Sequence, residues 1–506
     1  MKTFFVILIF SGIILAQKND DPPLVKVGSI TITRKEFLSR YELTPGINRR
    51  KNNTDADKGE FLLSMIAEKL LILKAQQEGW DSDTIVNYAV REVERALVRD
   101  ELYRKEVQDK VTITDSEKNI CIKRSLNDLK VYFLVARSKE GAEFLYSQIQ
   151  KGKTVDHFSF TIESKDEFDG PDSAIARWGD IDDRMENVIY NLKLNETSKP
   201  FQLDDGWYIV KLMGKTVSVI VGAKERKGVE EKVVSVLRKR KEQKRMTEYM
   251  NGKLKRTTTE INAKLLKSTI IHLWEIAQLK NPVRTDSTMF FVDRSVLDSL
   301  DLRMKDSLHL PFITFPHTTW SLETALSKIS ESNLATPAPS IKKIRLDVEQ
   351  RLHDLIDQEY IVQIGYQQGL NLSAAVRNDL KVWSDSYISQ LVRNRTMDTV
   401  TVSQNEIEEL RRVFRNDTSI VNNNDAAREK MKQMKMQNDL DKLVGTTANG
   451  TEVTFYEKNF KEIEVSATTS LVYRYLGFGG RMFAAPFVVP QLGWINYWKN
   501  KDVKLP

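Results

Sequence analysis

Ile189-Tyr190-Asn191-Leu192-Lys193-Leu194-Asn195-Glu196-Thr197-Ser198-Lys199-Pro200, followed by Asp205-Gly206-Trp207-Tyr208-Ile209-Val210-Lys211-Leu212, is the stretch that decides how the middle of this chain folds. Its first part reads as the apolar end of a helix running into a polar turn closed by Pro200. Its second part, rich in aromatic and β-branched residues, reads as a strand. Upstream, Leu129-Lys130-Val131-Tyr132-Phe133-Leu134-Val135-Ala136 reads as another strand and Lys139 to Lys151 as a helix. No other stretch of the chain points to a reaction.

This order resembles a parvulin-type (PpiC, rotamase) peptidyl-prolyl isomerase domain over about Asp128 to Lys215. That family closes on a helix, a "Lys-x-Gly-Glu-x-Ser-x-Pro" turn and a strand near "Phe-Gly-Tyr-His-Ile-Ile-Lys-Leu"; its first strand is usually "Ser-His-Ile-Leu-Val". The resemblance implies a small α/β domain, an antiparallel sheet flanked by helices, that acts on X-Pro bonds. Such an enzyme makes no covalent bond; it lowers a rotation barrier of about 18–20 kcal/mol. It does so by favouring the twisted amide over the planar one, in an apolar slot for the proline ring. By motif, the two usual pocket histidines fall on Tyr132 and Tyr208, which the resemblance makes the catalytic candidates. A tyrosine hydroxyl can donate and accept a hydrogen bond but does not titrate near neutrality. The same mapping places Trp178, Ile181, Met185 and Phe201 around the substrate. The acidic or thiol member of the family's site has no fixed place here, although Glu163 and Asp166 lie in the right stretch.

A chain of 506 residues with 41% hydrophobic and 29% charged residues has room for roughly three to four domains with cores of their own. Met1-Lys2-Thr3 and the apolar run Phe4 to Ala16 read as a secretory signal peptide, since about a dozen apolar residues are too few to span a bilayer. The expectation is therefore an exported protein, of the periplasm or cell envelope, with no stable membrane span after cleavage. Export makes nucleic acid an improbable partner for the formal charge of +7. A basic surface suits anionic envelope components or acidic client segments instead. Cys121 is the only cysteine, so no internal disulfide forms, and it is read as a buried small apolar side chain. The five histidines show no metal-ligand spacing, and neither a metal nor a cofactor is expected.

Two further stretches share a pattern. Leu62 to Trp80 and Leu352 to Leu370 both carry apolar residues at helical spacing and close on a glycine suited to a helix C-cap. Leu62/Leu352, Ile66/Ile356, Gln77/Gln367, Gly79/Gly369 and Val86/Val376 match at a constant offset of 290. Each copy continues into a second helix and then a capping-box spacing, Thr114 with Glu117 and Ser403 with Glu406. The repeated helix resembles the chaperone module of periplasmic SurA-like and PrsA-like foldases, in which the parvulin domain is an insertion and a long helix returns to complete the module.

The expected class is therefore α+β, with duplicated, mainly helical modules and an inserted parvulin-like domain. The segments are a signal peptide (1–16), a first helical module (17–127), the parvulin-like domain (128–216), and a basic returning helix completing the first module (217–270). A connector (271–316), a second helical module (317–412), its returning helix (413–467) and an aromatic, glycine-containing C-terminal segment (468–506) follow. Two functions fit. One is an exported peptidyl-prolyl isomerase and foldase for envelope or secreted proteins. The other is a non-catalytic chaperone, a holdase, whose degenerate parvulin domain is kept for peptide binding. In both, the partners are unfolded or proline-containing client polypeptides.

Overall fold

The computed structural model describes residues 21–43, 54–153, 168–218, 222–254, 258–280, 288–465 and 472–499. The leader-like run Phe4 to Ala16, and His157, Glu163 and Asp166, lie outside the described residues. The fold is α+β. The chain packs as two compact units, a continuous one of Arg104–Thr257 and a discontinuous one of Met1–Tyr103 with Thr258–Pro506.

The discontinuous unit opens with β1 (Pro23–Val27) and β2 (Ile30–Thr33), an antiparallel pair, followed by α1 (Arg34–Leu43), α2 (Thr54–Gln77) and α3 (Thr84–Glu106). Leu62, Met65, Ile66, Ala67, Leu70 and Leu71 of α2 are all fully buried. That apolar run wraps so much of the helix that only a central position satisfies it. Gly79 ends the helix at φ 70°, a left-handed conformation that glycine adopts without a Cβ penalty.

The continuous unit contains α4 (Asp115–Ser125), β3 (Asn127–Ala136), α5 (Lys139–Gln150), β4 (Phe168–Ala176), α6 (Asp183–Ile189), β5 (Phe201–Gln202), β6 (Trp207–Val217) and α7 (Ala223–Leu254). Its four strands form one antiparallel sheet in the order β4-β3-β6-β5. Thr114 and Glu117 cap α4 reciprocally. The long basic helix α7 lies against α4, and Lys241 donates to the Thr112 carbonyl (2.7 Å) and pairs with Glu117 (2.6 Å). Cys121 is buried there with Trp178 and Val233, and burial pushes its thiol pKa up.

The chain then re-enters the discontinuous unit through β7 (Glu260–Ile261), α8 (Ala263–Lys280), β8 (Met289–Phe291), α9 (Arg294–Met304), β9 (Pro311–Thr314), β10 (Thr319–Ser321), α10 (Leu322–Glu331), β11 (Ala335–Pro337) and α11 (Ile341–Gln367). It continues through α12 (Ala374–Thr399), α13 (Gln404–Val413), α14 (Thr418–Val421), α15 (Asn424–Asn449), β12 (Val453–Phe455), α16 (Glu457–Lys461) and the hairpin β13 (Tyr473–Tyr475) and β14 (Arg481–Phe483). Residues 271–316, read as a connector, are core material. Leu273, Ile276 and Ala277 of α8 and Val296, Leu297 and Leu300 of α9 are buried together with Phe312 and Ile313. The strands there are three or four residues long, too short for their alternation to stand out in the sequence.

The second half repeats the first in detail. Gly369 ends α11 at φ 67°, as Gly79 ends α2. Ser403 and Glu406 cap α13, and Lys435 of α15 donates to the Thr401 carbonyl (2.7 Å) and pairs with Glu406 (2.6 Å), as Lys241 does with Thr112 and Glu117. The far ends of the returning segments, however, are exchanged. The sequence reading has each complete its own module; instead β12, after the second returning helix, pairs with β1 of the first copy, and β7, after the first, pairs with β9 of the second. Leu440, Val444 and Ala448 of α15 are buried in the core around α2. Leu265, Leu273 and Ile276 of α8 are buried with Ile344, Val348 and Leu352 of α11. The two copies present similar edges and similar apolar faces, so local pattern does not specify which copy each segment closes.

Candidate functional site

The sheet of the continuous unit decides what the sequence-predicted site residues can do together. Along β3 and β6 side chains alternate between faces, and directly paired residues share one. The register pairs Tyr132 with Lys211, Phe133 with Val210 and Val135 with Tyr208. Tyr132 and Tyr208 therefore point to opposite faces. Tyr132 is half-buried against the cluster of Leu134, Ala142, Leu145 and Ile209 beneath α5. Tyr208 lies on the other face, its ring 6.2 Å from that of Phe133 and 6.1 Å from that of Phe201. Its hydroxyl donates to Asp205 Oδ2 at 2.8 Å.

On that second face, Phe133, Ile181, Met185 and Phe201 are half-buried around a floor of Val210, Leu212 and Ile189. The helix α6 that carries Met185 is capped by Asp182, which accepts from the Arg184 amide at 2.8 Å. The Arg184 guanidinium also binds the Asp182 side chain, holding its carboxyl down at about 2, and reaches Asp204 at 3.1 Å. The edge strand β5 closes the shelf through the pairing of Phe201 with Tyr208. Gly206 makes the tight approach into β6 possible. A Cβ there would stand 2.9 Å from Val135 Cγ1 and 3.1 Å from the Ala136 carbonyl oxygen.

Of the residues singled out from the sequence, Ile181, Met185, Phe201 and Tyr208 are brought together. Tyr132 is on the far side of the sheet, and Trp178 is only 2% exposed, packed with Cys121 and Val233 under the Arg240 guanidinium 5.5 Å from its ring. Arg240 is itself tied to the buried Glu186 by bonds of 2.6 and 2.9 Å. Two members of the shelf were missed. Phe133 follows from strand parity, because it is two residues from Val135, which pairs with Tyr208. Asp205 carries only the weak signal of an acid three residues before a tyrosine. The resulting surface offers an apolar shelf with one hydroxyl–carboxylate pair at its edge. It can hold a proline ring or another apolar side chain, but it has no pair of facing hydrogen-bonding rings.

No protein-family profile matches the chain. It is 26% identical over 189 residues to a foldase protein PrsA of Caldanaerobacter subterraneus subsp. tengcongensis, a match covering 33% of this chain and 60% of that protein. It is 21% identical over 223 residues to a foldase protein PrsA of a Geobacillus species, covering 40% of this chain and 76% of the other. The resemblance to PrsA-like, parvulin-type foldases is thus borne out, while the chain spans only 60% of the length of the first of these relatives. Among solved structures, a peptidylprolyl isomerase PrsA of Bacillus anthracis matches at 16% identity over 37% of this chain and 96% of its own, with a TM-score of 0.19. A structure described under two SurA-like chaperones of Campylobacter jejuni, PEB4 and the periplasmic protein Cj1289, matches at 12% identity over 46% and 95%, with a TM-score of 0.14.

Proposed function

We propose that this protein is an exported chaperone of the foldase kind, which captures unfolded client polypeptides and uses the shelf beside Tyr208 as a peptide-binding surface. The observation that carries the reading is the half-buried apolar group Phe133, Ile181, Met185 and Phe201 on the sheet of a parvulin-like unit. Half-exposed Phe and Met side chains on a preformed surface suit weak and varied capture, because thioether and ring contacts adapt to many partners. Export rests on the signal-like start; among the described residues no helix is long and apolar enough to cross a membrane.

Isomerase chemistry is the second reading, favoured by one observation, the Tyr208 hydroxyl held by Asp205 at the edge of the apolar shelf. A single hydroxyl already engaged by a carboxylate is a poor stabiliser of a twisted amide, since the amide has to displace that carboxylate to gain a hydrogen bond. Binding without rate acceleration is therefore the expected behaviour of the domain. The test is suppression of light scattering by an unfolded client diluted into buffer with the full chain. Suppression at near-stoichiometric amounts supports the reading, and aggregation unchanged at a tenfold excess rejects it.

A further inference from the structure

The discontinuous unit holds a cavity of about 740 Å³ between α3, α10, α11 and the β13–β14 hairpin. That volume is in the range of small-ligand sites. Five cationic side chains line it against three acidic ones. Two of the acids are paired with wall cations, Glu92 with Lys328 at 3.1 Å and Glu359 with Arg95, while Glu331 keeps its charge and accepts from the Tyr88 hydroxyl at 3.3 Å and the Ser327 hydroxyl at 3.1 Å. The cations not paired with a wall carboxylate are Arg99, Arg351 and Arg481, an excess of two positive charges over Glu331.

Arg99 is the unusual member. It is 8% exposed, and its guanidinium donates to the Gln358 side chain (2.7 Å) and the Gly479 carbonyl (2.8 Å), both neutral acceptors. The neighbouring Asp100 is taken by Arg474 at 2.5 Å and by the Gly477 amide at 2.8 Å. Burial pulls the Arg99 pKa down to about 10, as expected for a desolvated cation. The Nε atoms of Arg99 and of Arg351 are both buried without a hydrogen-bond partner. Arg351 reaches a carboxylate, Asp354, only at 3.9 Å, and Arg481 lies over the Tyr473 ring at 4.9 Å. Keeping a guanidinium buried against neutral acceptors is costly unless an anion completes the site.

We propose that this cavity binds a carboxylate of a client peptide, held by Arg99, Arg351 and Arg481. The planar guanidinium forks match a carboxylate in two-point contact. Trp320, Leu355 and Met482 line the same cavity and give the residue next to the carboxylate an apolar wall. The glycine run Gly477-Phe478-Gly479-Gly480 serves the site directly: Gly479 supplies the carbonyl for Arg99, and a Cβ on Gly480 would stand 3.0 Å from Arg99 Nη2. This inference rests on the client-binding reading above, and it adds a second, charge-selective contact to the apolar shelf.

The test is fluorescence anisotropy with the full chain and three labelled peptides of one apolar sequence: one ending in a free carboxylate, one amidated, and one amidated with an internal glutamate. The free acid or the internal-glutamate peptide, or both, should bind at least tenfold more tightly than the plain amide at low salt, and which of them does identifies the source of the carboxylate. Arg351→Gln, on a half-buried side chain, and Arg481→Gln, on an exposed one, should each reduce that preference severalfold with unchanged melting temperature. Arg99→Gln should abolish it, with folding checked by circular dichroism. Equal affinity for all three peptides overturns the proposal while leaving capture of apolar segments standing, provided client aggregation is still suppressed. Failure to bind any peptide together with failure to suppress aggregation removes both.

Discussion

Tyr132 and Tyr208, on adjacent antiparallel strands, face opposite sides of the sheet: Tyr208 pairs with Val135, an odd number of residues from Tyr132. Tyr208 meets Phe133, Phe201 and Asp205 instead. The two rings therefore cannot act on one ligand, whereas Phe133, Ile181, Met185 and Phe201 form an apolar platform on the Tyr208 side.

Met185→Ala and Phe201→Ala should each weaken binding of an aromatic-proline peptide by about 3- to 10-fold, because each removes roughly 1 kcal/mol of apolar contact. Tyr132→Phe should leave affinity unchanged, since that ring belongs to the α5 face. Titration calorimetry of the three variants distinguishes the two faces; a loss for Tyr132→Phe equal to that for Met185→Ala contradicts the assignment.

The exchange of returning segments predicts a particular coupling between distant parts of the chain. Removing residues 424–506 deletes Leu440, Val444, Ala448 and β12, and should expose the core around α2 to proteolysis near residues 21–103. The core of α8, α9 and α11, closed by β7, should stay resistant. If the α8–α9–α11 core is digested before the region of α2, the pairing is not exchanged in solution.

The buried ionic group beneath α1 is predicted to matter more than any surface pair. Arg40 is fully buried and binds Glu68 at 2.5 and 2.8 Å, while Lys69 bridges Glu36 and Asp385 at 2.7 Å each. Burial works against the charge on Lys69, yet its three acidic neighbours hold its pKa above the ordinary value. Glu68→Gln takes the two-point countercharge from buried Arg40, leaving Glu36 at 3.9 Å as the nearest carboxylate, and should cost about 3–5 kcal/mol in urea denaturation. A loss below about 1 kcal/mol contradicts the assignment.

The two capping glutamates give a pH signature. A side-chain bond from Lys241 and bonds from Thr114 hold Glu117 at about 2, and Lys435 with Ser403 does the same for Glu406. Because the folded pKa lies below the ordinary carboxylate value, the contribution is fully present above about pH 5 and fades as pH falls toward 2. Both side chains are partly exposed, so the effect is small and screened by salt. Thermal melts between pH 5 and 2 should show a shallower decline for the Glu117→Gln, Glu406→Gln double variant than for the unaltered chain; parallel curves contradict it.

Much of this fold was legible in the residues. The repeated glycines Gly79 and Gly369 do adopt left-handed conformations, and both capping boxes form. Those features depend on neighbours within a few positions, which is where sequence pattern is informative. The exchange of β7 and β12 was not legible, because two copies with equivalent edges offer each segment two equivalent partners. The faces of Tyr132 and Tyr208 were set by the β3–β6 register, which includes an irregularity between Lys130 and Val131. The cationic cavity escaped notice since Arg99, Arg351 and Arg481 are far apart in the chain and each reads alone as a solvated helix or turn residue.

The most direct measurement is NMR exchange spectroscopy on an aromatic-Pro peptide with the full chain added in substoichiometric amounts. The account predicts shifted or broadened peptide resonances with a cis–trans exchange rate equal to the uncatalysed one, tens to hundreds of seconds. Exchange that accelerates in proportion to protein concentration, and slows again in Tyr208→Phe, would contradict it and make the Tyr208–Asp205 pair the centre of a working isomerase.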